Sequence, residues 1–247
     1  MALREEFERW GNWFFRWRSY LPLLLAFLFL IALKTVNLPL YPEASDRAWE
    51  LFALLISFLG LGIRMLTVGS VPRNTSGRNV KEQRAYTLNT TGLYSITRHP
   101  LYLGNLLIWI GAALFVKSWW LVLLTLFIFW FYYEKIMYAE EEFLRREYGD
   151  TFLEWANQTP AFLPWKLKTW KKPKLEFKFK NALRREYSGF FGIISVFSVL
   201  KLFQDRMTHR ELVFDVMWSV IFAIGLGLYL TLMYLKKKTN WLNVEGR

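Results

Sequence analysis

Cysteine is absent from this 247-residue chain, and histidine nearly so, with His99 and His209 alone. The first absence excludes a disulfide framework, a thiolate metal site and a cysteine nucleophile. The second leaves too few imidazoles for a zinc centre, so no metal is expected. Acidic residues are outnumbered as well: 20 Asp and Glu stand against 32 Lys and Arg, a net charge of +12. An excess of that size can serve nucleic acid. Here it flanks long uncharged apolar blocks, which makes anionic lipid headgroups the better counterpart, and no nucleic-acid partner is expected. Internal repeats and low-complexity segments are also missing.

What the chain has instead is hydrophobic length, with 54% of residues hydrophobic and 19% aromatic. The apolar runs are Tyr20–Leu33, Ala48–Val68, Leu101–Val116, Trp119–Tyr133, Ser188–Phe203 and Val213–Leu235. Ala48–Val68 and Val213–Leu235 are long enough to cross roughly 30 Å of hydrocarbon. The others are shorter, and Ser188–Phe203 also contains glycine. Leu101–Val116 and Trp119–Tyr133 are separated by Lys117-Ser118 only, which reads as a tight helical hairpin. The expected fold is all-α, a polytopic membrane helix bundle of about six transmembrane helices with an N-terminal interfacial helix. In that helix, residues 1–19, Phe7, Trp10, Phe14 and Trp17 recur at helical spacing. Residues 20–47 then form the first span and an external loop, 48–165 a core, and 166–247 a basic connector with two further spans. The nineteen residues before the first apolar run are rich in charge and Trp, and no small-residue cleavage site follows it, which argues against a signal peptide.

Charge orients the bundle. With both termini in the cytoplasm, the cytoplasmic segments hold 25 of the 32 basic residues. The other side keeps Lys34, Arg47, Lys117, Arg206 and Arg210. This asymmetry follows the positive-inside rule, and tryptophans such as Trp10, Trp119 and Trp165 sit near the boundaries as an aromatic belt does. The expected location is an integral membrane one, in a bacterial inner membrane.

Two polar groups at the edges of apolar runs need a reason, because such residues are costly there. The first is Arg98-His99-Pro100-Leu101-Tyr102-Leu103-Gly104. Proline suits the first turn of a helix, where its missing N–H would be unpaired anyway. That places Arg98 and His99 at a positive helix end able to receive a carboxylate or phosphate. Gly104 lies on the first turn, where a small residue permits close approach. The second is Glu140-Glu141, on a helix expected to run on through Glu134–Tyr148 and stop at Gly149. Its carboxylates can accept hydrogen bonds from hydroxyls or balance a cation. Each group also has a plainer role: Pro starts a helix, and Glu140, Glu141 and Glu142 can pair with Arg145 and Arg146 on a solvated face. Arg73, Arg78 and Arg84, with Lys81 and Arg64 near them, suit an anionic headgroup or merely obey the positive-inside rule.

Taken together, Arg-His-Pro-x-Tyr-x-Gly, an apolar hairpin, Glu-Glu-x-x-Leu-x-x-x-Tyr-Gly and Pro-x-Phe-x-Pro resemble the isoprenylcysteine carboxyl methyltransferase and phospholipid methyltransferase superfamily. The matching residues run from Arg98 to Gly104, then Glu140, Glu141, Leu144, Tyr148 and Gly149, and end at Pro160 and Pro164. Tyr148 stands where the family usually has Phe, and Phe152 where it usually has Tyr. The resemblance implies a membrane methyltransferase using S-adenosylmethionine without a Rossmann domain, so the lack of a Gly-x-Gly-x-x-Gly loop is no objection.

Carried over by position, His99, Tyr102, Gly104, Glu140, Glu141 and Tyr94 would bind the cofactor, and the Pro160–Pro164 segment would cover it. Arg98 and Glu141 would be the catalytic residues, with Arg98 orienting the acceptor. Arg73, Arg78 and Arg84 would bind that acceptor, a membrane lipid or lipidated molecule. The arginines favour a phosphate or carboxylate. A phosphatidylethanolamine-type N-methyltransferase is an alternative. An NADPH-dependent sterol-type reductase and a non-catalytic membrane scaffold are alternatives of other classes. Oligomeric state stays open.

Overall fold

The computed structural model describes residues 2–18, 20–35, 43–72, 75, 87–209 and 212–244. These residues are helical and connecting segments: α1 (Leu3–Trp17), α2 (Leu21–Thr35), α3 (Glu43–Gly69), α4 (Pro100–Phe115), α5 (Trp119–Tyr148), α6 (Asp150–Gln158), α7 (Phe179–His209) and α8 (Val216–Lys238). Among the described residues, α3, α5, α7 and α8 are long and apolar enough to cross a membrane. The other two expected spans are α2, with 15 residues, and α4, with 16. At 1.5 Å per residue they reach only about 23 and 24 Å. The all-α membrane bundle stands on four such helices.

The α4–α5 hairpin turns at Lys117-Ser118, where Lys117 takes a left-handed φ of 60° and its ammonium pairs with Asp46. Close packing of α3 on α4 comes from glycine. A Cβ on Gly60 would lie 2.4 Å from the Gly104 carbonyl oxygen, and one on Gly111 would lie 2.2 Å from Ser57 Oγ. Such stripes of small residues let backbones approach where no hydrophobic effect separates lipid from protein. Gly225 of α8 packs on Ile194 of α7 in the same way, whereas Gly62 and Gly227 face open space.

Two segments lie otherwise than their composition suggests. Helix α1 does more than float in the interface. Gly11 touches the Lys135 carbonyl of α5, Phe7 packs on Tyr138 and Phe14 on Tyr132, while Trp10, Trp13 and Trp17 stay outward. Arg4 pairs with Glu142 and Arg146 with Glu8, closing the seam. The second is the span expected at Ser188–Phe203, which is the middle of the 31-residue α7. Lys180, Arg184, Arg185 and Glu186 interrupt its apolar pattern, so composition hides nine residues of helix that begin at Phe179. Asn181, buried at this end, donates from Nδ2 to the Val68 carbonyl of α3 at 2.8 Å.

The basic connector is pinned rather than loose. Gly92, with φ 64°, opens a one-turn helix, Gly92–Ser95, and donates its N–H to the Lys171 carbonyl. Lys171 N–H donates to Ser95 Oγ and Thr169 Oγ1 to the Ser95 carbonyl. Lys178 N–H donates to the Gly69 carbonyl. These bonds bring the start of α7 to the end of α3, beside the start of α4.

Candidate active site

Helix α5 is 30 residues long, about 45 Å, so its last turns outreach a 30 Å hydrocarbon layer. They carry Glu140, Glu141 and Glu142 beside the start of α4. Successive helical residues point about 100° apart. The three carboxylates accordingly serve three different partners, which rules out a common solvated face. Glu142 faces Arg4 of α1, Glu141 faces Arg98 and His99, and Glu140 faces Tyr102.

Arg98 is held on all sides. Its Nε and Nη2 donate to the two oxygens of Glu141, at 2.8 and 3.2 Å. Nη1 donates to the carbonyls of Ala156 and Thr159 at 2.7 and 3.1 Å, and the backbone N–H donates to Pro160. Such a fork on a carboxylate is among the strong charge-assisted pairs. His99, buried at the N-cap of α4, places Nε2 2.9 Å from Glu141 Oε1. An ionised carboxylate only accepts, so Nε2 carries the proton and Nδ1 is turned toward Glu140, 3.7 Å away.

The other glutamate belongs to a cavity. Tyr102 donates its hydroxyl to Glu140 Oε2 at 2.9 Å. Its ring stacks on His99 with centroids 5.6 Å apart and leans on Tyr133 at 4.9 Å. On the same cavity, Arg64 of α3 donates Nε and Nη2 to the two oxygens of Glu186, both at 2.9 Å. Its Nη1 donates to Asn105 Oδ1 at 2.6 Å. Because a guanidinium only donates, Asn105 must turn its oxygen to Arg64 and its amide N–H to Tyr133, which it reaches at 2.9 Å. Tyr133 therefore accepts, and its own hydroxyl proton can point elsewhere. The cavity enclosed measures about 210 Å³, and its polar lining includes Arg18, Arg64, Tyr94, Arg98, Glu140 and Arg185. Burial, with Glu140 nearby, pushes the Tyr94 phenol well above its usual range, so Tyr94 acts as a neutral hydrogen-bonding group.

Among the residues expected to hold a cofactor, Tyr94, His99, Tyr102 and Glu140 meet on this cavity together with Arg98. Glu141 stands behind Arg98 and His99 instead of lining it. Gly104 turns away: a Cβ there would meet Arg64 Cγ at 2.6 Å and the Gly60 carbonyl at 2.7 Å, so its smallness serves the α3–α4 contact. Ala161 and Phe162 accept from Thr97, so Pro160–Pro164 buttresses the Thr97–Arg98 turn from outside. Arg73, Arg78 and Arg84 lie outside the described residues. Arg18, Asn105, Arg185 and Glu186 escaped sequence reasoning. One signal pointed to Asn105 and Glu186: Arg64 sits inside an apolar span, and an intramembrane charge requires a partner.

Against this geometry, residues 50–151 match the phospholipid methyltransferase family. This part of the chain is similar to that family. The match contains Arg64, Arg98, His99, Tyr102, Asn105, Tyr133, Glu140 and Glu141, and stops at the start of α6, before α7 and α8 begin. Similarity extends to the cobalt-zinc-cadmium resistance protein CzcN of Cupriavidus metallidurans, 29% identical over 68% of this chain and 76% of that protein. The nickel-cobalt-cadmium resistance protein NccN of Alcaligenes xylosoxydans is 33% identical over 48% and 54%. The protein-S-isoprenylcysteine O-methyltransferase of Xenopus laevis is 35% identical over 53% and 46%. The chain thus spans about half the length of the last two. No solved structure matches. Among the described residues, no group of three His, Asp or Glu side chains is gathered as metal ligands.

Proposed function

We propose that the chain transfers a methyl group from S-adenosylmethionine to the polar group of a membrane lipid or lipidated acceptor, preferentially an anionic phosphate or carboxylate. One observation carries the reading: the hydrogen-bonded array Tyr102–Glu140 and His99–Glu141–Arg98 joins the start of α4 to the end of α5 around a cavity of aromatic rings and charge. S-adenosylmethionine, when bound, supplies an electrophilic methyl on a sulfonium. The residues present suit it. Aromatic faces and a carboxylate favour a sulfonium, and Tyr94, Tyr102, Tyr133 and Glu140 line the cavity. Glu140 also accepts hydrogen bonds of the kind that ribose hydroxyls or an amine donate.

The roles of the chain's own residues follow from their partners. Arg98 and Glu141 hold the turn before α4 rigid and keep His99 and Tyr102 in place, which aligns reactants rather than exchanging protons with them. Methyl transfer is an in-line displacement, so alignment and exclusion of water are the main requirements. An anionic acceptor needs no base. An amine acceptor, which the phospholipid methyltransferase match favours as a second reading, must lose a proton, and Glu140 is the cavity carboxylate that would take it. With both termini in the cytoplasm, the site opens to the soluble donor while the acceptor enters from lipid.

Isotopically labelled S-adenosylmethionine incubated with purified protein and total membrane lipid tests this reading, with products identified by mass spectrometry. A labelled lipid is the expected result. Absence of label in every lipid fraction, together with no calorimetric binding of the donor, would overturn it.

A further inference from the structure

The oxygen of Tyr133 is fixed, and its hydroxyl hydrogen is left to be placed. Phe129 stacks on the ring with centroids 4.1 Å apart, and Tyr102, Tyr132 and Trp109 enclose it at 4.9, 5.1 and 6.0 Å. The residue is 4% exposed, so packing holds the ring and leaves the O–H rotor alone free to turn. A phenol keeps that O–H near the ring plane, which gives the hydrogen two positions on opposite sides of the oxygen. Asn105 Nδ2 donates to this oxygen at 2.9 Å, so the Tyr133 hydrogen must take the position away from the amide. Among the described residues, the hydroxyl donates to no protein acceptor.

The amide has no freedom to flip. Its oxygen lies 2.6 Å from Arg64 Nη1, and a guanidinium only donates. Arg64 in turn gives Nε and Nη2 to the two oxygens of Glu186. Glu186 is 4% exposed, a costly place for a carboxylate unless it is paired in this way. The result is one hydrogen-bonded row, Glu186–Arg64–Asn105–Tyr133, drawn from α7, α3, α4 and α5, and every member lines the cavity. From Arg64 onward each donor points toward Tyr133, and bonds aligned in this manner reinforce one another. Glu186, which anchors the row, lies outside the matched segment 50–151.

Resting on the methyl-transfer reading above, we infer that the row ends in a directed donor: the Tyr133 hydroxyl gives its hydrogen bond to an acceptor atom of S-adenosylmethionine in the cavity. Tyr133 is then a binding residue, and Asn105, Arg64 and Glu186 are positioning residues that decide which way its hydrogen faces. The neighbouring Tyr102 plays the opposite part, because its own hydrogen is already committed to Glu140. Through Glu186, α7 serves the site without touching the ligand.

Two variants in the detergent-solubilised full chain test this. Tyr133→Phe removes the hydroxyl and keeps the ring packing, and calorimetry should show S-adenosylmethionine bound about fivefold more weakly, the worth of one hydrogen bond. In Asn105→Asp the carboxylate keeps one oxygen for Arg64 and turns the other to Tyr133, which must then donate to it and withdraw from the cavity. Donor affinity should fall at least as far, and adding Tyr133→Phe to Asn105→Asp should cost less than about twofold more. The Raman doublet of tyrosine reports whether a phenol accepts or donates, and it is read without ligand. The Tyr133 contribution, obtained by subtracting the matching Tyr133→Phe spectrum, should show a lower intensity ratio in Asn105→Asp than in wild type. Unchanged donor affinity in Tyr133→Phe would overturn the inference even where the aspartate variant does not fold. Equal losses from Tyr133→Phe in both backgrounds, or an unchanged doublet, would overturn the role of the row. The two readings fail separately. Wild type that binds no donor sinks methyl transfer while the doublet still decides the row, whereas donor binding indifferent to Tyr133 sinks only this inference.

Discussion

Glu140 and Glu141 are neighbours in sequence and should behave oppositely when altered. Glu141 gives both oxygens to Arg98 and one of them also to His99. Replacing it by alanine leaves a guanidinium that is 16% exposed with only the Ala156 and Thr159 carbonyls, and a buried imidazole without its acceptor. Removing one partner of a fully buried pair costs about 3–5 kcal/mol. Glu141 is 25% exposed and Arg98 keeps two acceptors, which reduces the expected loss to about 2–3 kcal/mol. For a chain of this size that lowers the melting temperature by roughly 4–12 °C. Glu140 accepts one phenol hydrogen bond and is 32% exposed, so Glu140→Gln should cost only about 0.5–1.5 kcal/mol. It should nonetheless weaken S-adenosylmethionine binding about tenfold or more, since the lost charge faces the cavity. Thermal unfolding in one detergent and donor calorimetry on the same preparations decide the matter. A Glu141→Ala protein that melts like wild type, or a Glu140→Gln protein with unchanged donor affinity and a large melting shift, would refute the division of roles.

Gly104→Ala places a methyl against the Gly60 carbonyl and the Arg64 stem, so it should destabilise by about 1–3 kcal/mol, while Gly62→Ala, facing open space, should be neutral or slightly stabilising; melting curves compare the two. At the far end of the bundle, Lys201 bridges Glu50 and Asp205, and Trp218 donates to Glu50 at 2.7 Å. Lys201→Met should therefore cost about 3–5 kcal/mol, and the double variant Lys201→Met with Glu50→Gln should recover part of it in a double-mutant cycle. Docking of α1 should depend on pH: the hydrogen bond from Arg146 holds the Glu8 carboxyl below its ordinary 4.5. A depressed carboxylate stabilises the contact above that ordinary value and loses the contribution as pH falls through the lower folded value. Fluorescence of the α1 tryptophans should accordingly be flat at neutral pH and change only below about pH 4.5.

Local pattern was sufficient for much of the molecule. The hairpin turn at Lys117-Ser118, the helix that runs from Trp119 through Tyr148 to Gly149, and the proline start of α4 all follow from residues acting on their neighbours. The pairing of Arg98–Tyr102 with Glu140-Glu141 was legible for the same reason, because a two-residue turn returns both ends of a hairpin to one side. The full length of α7 was not legible. Its first nine residues carry four charges that look like connector until Glu186 finds Arg64 and Asn181 finds Val68, more than a hundred residues away. The separation of Glu140 from Glu141 was also hidden, since adjacent identical residues differ only in the partners that a 100° turn presents to them.

By itself, then, the sequence determined an all-α membrane protein, its hairpin, and the face on which the polar motifs meet, because hydrophobic length and turn chemistry are local properties. Only the tertiary structure decided which glutamate supports and which faces the cavity, that Gly104 belongs to a helix contact, and that α1 and α7 lend arginines to the site. Those outcomes depend on which distant helices pack together, and a guanidinium's meaning is set by the carboxylate opposite it.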